Sequence, residues 1–127
     1  MTEIRGVTDI TPTQMGLIIM PGADLVITFY TAAGSYPDFY DDPQAWTKLG
    51  STNPFTVIDS NQRMLFDLPP EMIRAGQSRS YYITISSGGG IYIGSERTFM
   101  NSNMEILDVR AFAQNELLSP SSPGYSL

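Results

Sequence analysis

The sequence predicts an all-β protein, an antiparallel β-sandwich or jelly roll of about eight short strands. Three observations carry that prediction. Short runs rich in Val, Ile, Thr, Tyr and Phe recur along the 127 residues. Turn-forming residues, 11 Gly and 9 Pro, punctuate them. The chain is 42% hydrophobic and 11% aromatic but only 16% charged, against about 25% charged in an average soluble domain. That profile is too apolar for a disordered chain and suits a turn-rich β domain with a weakly charged surface. The length allows one domain, large enough to fold without a disulfide or metal staple.

Residues 1–14 read as an extended N-terminal arm, because Thr, Ile and Val favour strand while Pro12 is barred from an interior ladder position. The sandwich domain then occupies 15–118. Met15 to Met20 is a short apolar strand, stopped by the turn chemistry of Pro21 to Asp24. Leu25 to Thr31 places Val26, Thr28 and Tyr30 on one face and Leu25, Ile27 and Phe29 on the other. With both faces largely apolar, it reads as a central strand. Ala32 to Pro43 is a long connection, and Gln44 to Gly50 reads as the next strand.

Pro54 to Asp59 and Gln62 to Leu68 flank Ser60 and Asn61, which reads as a hairpin closed by Pro69 and Pro70. Glu71 to Gly76 holds at most one helical turn. Arg79 to Ser86 is a strong strand, and Gly88 to Gly90 turns the chain into a strand over Gly90 to Gly94. Met104 to Gln114 suits either period, and its all-strand surroundings favour strand. Ser119 to Leu127, rich in Ser, Pro and Gly, reads as a tail.

Two absences narrow the chemistry. Without Cys there is no thiol nucleophile, disulfide or zinc ribbon, and without His there is no imidazole-based triad. Nothing in the spacing of Asp59, Asp67, Glu71, Glu96 and Glu105 selects a glycosidase pair. The glycines at 88–90 lack the Lys-Ser/Thr and helix of a phosphate loop. No enzyme is expected. The net charge is −6, and the six arginines are scattered singly, so nucleic acid is not an expected partner. The apolar runs are far shorter than the ~20 residues that span a bilayer. The N-terminus lacks the basic and apolar regions of a signal peptide, which predicts synthesis and retention in a cytoplasm.

The segment 34–43 concentrates three aromatics and three carboxylates. Tyr36, Phe39 and Tyr40, with Trp46 beyond them, are the residues expected to stack on a sugar face or a protein partner. Asp38, Asp41 and Asp42 offer hard oxygen ligands for calcium, without the spacing of an EF-hand loop. No other cofactor is expected. The bland reading is a surface loop whose aromatics cover the end of the sandwich. The seven methionines, Met15, Met64 and Met100 among them, read as gap-filling core residues.

Phe29 to Tyr36, Asp42 to Ser51 and Ile73 to Thr84, taken in order, resemble an uncharacterised β-sandwich domain of surface and secreted proteins of diatoms, cyanobacteria and other aquatic microbes. The resemblance covers about residues 25–94 and brings no catalytic motif. It implies adhesion or recognition. The chain departs from that setting in having no signal peptide and no flanking domains, and it also looks like a small phage virion protein.

The leading expectation is therefore a non-enzymatic structural protein of a virion, a capsid decoration (cement) or tail component. Ile4, Val7 and Ile10 of the arm would be tied to neighbouring subunits by β-augmentation. The partners expected are copies of this chain or other virion subunits. The alternative is an extracellular carbohydrate-binding or adhesion domain, calcium-assisted, excised from a secreted protein.

Overall fold

A computed structural model describes residues 1–36, 42–59, 63–86, 90–91 and 99–109, with 99–100 and 107–109 described by backbone alone. The protein is all-β, with antiparallel strand pairing throughout its sheets. Ten strands lie among the described residues: β1 (Thr2–Gly6), β2 (Gln14–Ile18), β3 (Gly22–Leu25), β4 (Ile27–Ala33), β5 (Thr47–Ser51), β6 (Phe55–Val57), β7 (Arg63–Asp67), β8 (Ser78–Ile85), β9 (Phe99–Met100) and β10 (Met104–Val109). A six-stranded sheet runs in the order β5-β4-β8-β1-β10-β9, and β2 pairs with β7 as β3 does with β6.

Two of the inner strands, β4 and β8, carry apolar residues on both faces. In β4, Ile27 and Phe29 point to one side while Tyr30 and Ala32 point to the other, and all four are buried. The strand is central, as its composition predicts, but it begins at Ile27; Leu25 ends β3 instead. In β8, Tyr81 shares the Ile27 side and Tyr82 the Tyr30 side, as their register with Thr31 and Tyr30 requires. Met104 to Val109 takes the strand alternative.

The segment expected to be an N-terminal arm is instead built into the sheet. β1 lies between β8 and β10 and pairs with both. Ile4 is 8% exposed and belongs to the main core. The chain is then pinned as far as residue 10: Gly6 N–H donates to the Gln77 carbonyl, Val7 and Thr8 N–H both donate to the Asn103 carbonyl, and Ile10 exchanges both backbone bonds with Ile73. A short run of Ile, Arg and Val pairs as well inside a sheet as outside it, so composition alone does not separate the two. The domain boundary at 14/15 disappears, since Gln14 opens β2.

The expected hairpin around Ser60 and Asn61 is also corrected. β6 and β7 are not partners; β6 pairs with β3 and β7 with β2. The register is nearly continuous from Ile10 opposite Ile73, through Gln14 opposite Asp67 and Ile18 opposite Arg63, to Leu25 opposite Phe55. The two short sheets are thus one long antiparallel ribbon with an interruption. Asp24, in the left-handed region at φ 54°, sits in the register shift that kinks its β3 end.

The inner side of this ribbon covers one face of the sheet. Ile19, Leu25, Val57, Phe66, Leu68 and Ile73 of the ribbon segments pack with Ile4, Ile27, Phe29 and Tyr81 of the sheet. Phe66 stands between Phe29 and Phe55 with ring centroids 5.7 and 6.0 Å away. Met15 and Met64 fill space beside this cluster. Glu71 to Gly76 holds no helical turn; Ile73 and Ala75 make single bridges to Ile10 and Gly6.

Candidate interaction surface

The aromatic residues expected at a binding surface are divided by the fold. Tyr36 is 1% exposed and Trp46 is 7% exposed. Both lie in a second cluster, with Tyr30, Ala32 and Tyr82, on the sheet face opposite the ribbon. Tyr82 is the pivot of that cluster, its ring edge-on to Tyr30 at 5.8 Å and to Trp46 at 5.7 Å. Edge-to-face pairs of this kind add to the area they bury. Tyr36 and Trp46 are therefore core residues in this fold and not an open stacking platform. A sheet with two apolar faces needs a cover on each, and here they help to supply the second.

Phe39, Tyr40, Asp38 and Asp41 lie outside the described residues. Asp42 caps a short 3-10 turn over Pro43–Ala45, its Oδ1 accepting from Gln44 N–H at 3.0 Å. This turn replaces the first part of the strand expected from Gln44, which starts only at Thr47. Of the three arm residues, Ile4 is core, Ile10 packs against the core, and Val7 is exposed while its backbone is held.

Two polar groups interrupt the apolar faces. Glu3, on the second face, is buried and accepts a hydrogen bond from the Ser35 hydroxyl. On the ribbon side, Arg79 donates to Thr31 Oγ1 at 3.1 Å and pairs with Glu71 at 3.2 Å. Burial raises the pKa of the neighbouring Tyr81 phenol above its ordinary value; Arg79 opposes the shift and Glu71 adds to it. At neutral pH that phenol is protonated. A shallow cleft of about 210 Å³ opens between β5 and β7, over Phe29, Leu49 and Phe66, with Asp67 as the charged group on its rim.

Exposed apolar residues also lie on the outer side of the ribbon, as they do at Val7 and Met72. Strict alternation in β2 and β7 turns Gln14, Gly16, Ile18, Arg63, Leu65 and Asp67 outward. Leu65 is 59% exposed and Ile18 40%. Met20 and Ile58, outside the paired strands, are exposed as well, Ile58 at 88%. Gln14 Nε2 donates to Asp67 Oδ1 at 3.1 Å across the end of this face. Arg63 lies across Gly16, where an added Cβ would stand 2.9 Å from its Cδ.

Sequence reasoning located these strands but not this face, because which side of a strand is covered depends on its partner layer. The signal available was the alternation Arg63-Met64-Leu65-Phe66-Asp67, with opposite charges two residues either side of Leu65. Compared with family models, with curated proteins and with solved structures, the chain matches none.

Proposed function

We propose that this protein is a non-enzymatic structural component that assembles with protein neighbours, in the manner of a head-decoration or tail protein of a virion. The observation that carries the reading is the outer face of the ribbon, where Ile18 and Leu65 are exposed. Ile18 and Leu65 share one face of a paired two-stranded ribbon, and large exposed apolar patches mark interaction sites. The composition supports it: a chain without His or Cys forgoes the commonest catalytic side chains. A net charge of −6 favours protein contacts over nucleic acid. Assembly no longer rests on a free N-terminal arm, since β1 is an inner strand; it rests on a rigid face.

The test is the molar mass in solution by light scattering, from about 1 μM to about 500 μM, the range in which small interfaces dissociate. A mass that rises with concentration to a closed oligomer supports the reading. A monomer across the whole range overturns it.

A further inference from the structure

We infer that the outer face of the β2–β7 ribbon is a two-fold interface between two copies of this chain, with Leu65 on the axis. The inference rests on the assembly reading and specifies its contact. Three observations lead to it. The first is exposure: Leu65 and Ile18 project from a face that no described part of the chain covers.

The second is charge. Arg63 and Asp67 flank Leu65 at equal spacing on the same side of β7, each about 7 Å from it along the strand. A two-fold axis at Leu65 runs the partner's β7 antiparallel to the first. It sets Arg63 of each copy against Asp67 of the other, giving two reciprocal ion pairs around a Leu65–Leu65 contact. Isologous interfaces are self-complementary in this sense. The ion pairs among the described residues are Arg5 with Glu105 and Arg79 with Glu71, so Arg63 carries an uncommitted charge into the contact. Asp67 makes a neutral hydrogen bond to Gln14, which leaves its carboxylate able to accept more.

The third is space. Gly16, opposite Leu65 in the ladder, adds no side chain at the centre of the face. The Arg63 stem lies over it, inclined towards the axis. Like-charged approaches are disfavoured: a parallel or shifted copy places Arg63 near Arg63 or Asp67 near Asp67, so the charges select the two-fold register.

The face is two strands wide and about 20 Å long from Gln14 to Met20. That is well below the ~800 Å² per partner of a standard stable interface, so the dimer is expected to dissociate in the micromolar range.

The experiment is charge exchange read by light scattering and sedimentation on the full chain. Arg63→Asp sets two carboxylates against each other at each pair and should weaken dimerisation by about tenfold or more. Asp67→Arg should do the same with two guanidiniums. The double variant Arg63→Asp with Asp67→Arg rebuilds both pairs in reverse and should return the dissociation constant to within about threefold of the parent. Both positions are exposed, and thermal melts of the three variants should match the parent's. Restoration by the double variant establishes the interface. Assembly that ignores Arg63→Asp, or a double variant as weak as the singles, overturns it while leaving the assembly reading intact through another face, such as the cleft beside β5. A parent chain that stays monomeric overturns both.

Discussion

Tyr81 lies on the core side of β8, 2% exposed, with Arg79 and Glu71 at its polar end. The folded state holds its phenolic proton more tightly than the unfolded chain, where tyrosine titrates near 10.0. The unfolded state therefore binds fewer protons once the pH passes that value. Stability from this group is complete below about pH 10 and declines as the pH rises towards the raised native pKa. Tyr81→Phe should remove that share of the alkaline decline. Urea midpoints from pH 8 to 11 would check it, with the parent's midpoint falling relative to the variant's as the pH increases. Trp46 and Tyr36 make the same point about residue type: a large aromatic reads as a binding residue or a core residue until its neighbours are known. Here those neighbours are Tyr30 and Tyr82 in a buried cluster on one sheet face.

Among the elements, β1 and the ribbon hold each other through their backbones. Gly6 ends β1 where the chain passes the 73–77 segment, donating to Gln77 and accepting from Gly76 N–H at 2.8 Å. A Cβ at Gly6 would stand 2.7 Å from the Thr8 carbonyl oxygen and 3.0 Å from that of Arg74. Both obstacles are backbone atoms in hydrogen-bonded segments and cannot turn aside. Gly6→Ala should therefore destabilise by about 1–3 kcal/mol, the usual cost of overpacking. Gly16→Ala meets only the flexible stem of Arg63 and should fall within about 0.5 kcal/mol of the parent. Denaturant midpoints of the two variants give the comparison, and equal effects would contradict the close approach at Gly6.

At the scale of the whole molecule, the N-terminal strand joins two parts of the six-stranded sheet. β1 is the sole bridge between β5-β4-β8 and β10-β9 in the strand order. Deleting residues 1–6 should abolish the cooperative unfolding transition, because it exposes two sheet edges and removes Ile4 from the core. Circular dichroism melts would read this directly. A shortened chain that melts like the parent would restore the arm. The sheet has one face against the ribbon and an aromatic cluster on the other.

The amino-acid sequence by itself determined the all-β class, the central place of β4, the existence of the β8 strand, the strand character of Met104–Val109, and the absence of imidazole and thiol side chains. Each follows from composition or from side-chain alternation, which are local properties. The tertiary structure decided the pairing of β6 with β3 and not β7, and the insertion of β1 between β8 and β10. It also decided the burial of Tyr36 and Trp46 and the exposure of Ile18 and Leu65. The physical reason is that strand ladders are made by backbone groups common to all residues. Alternation says that a strand has two faces; only the layers that close over the whole sheet say which face is core and which meets water.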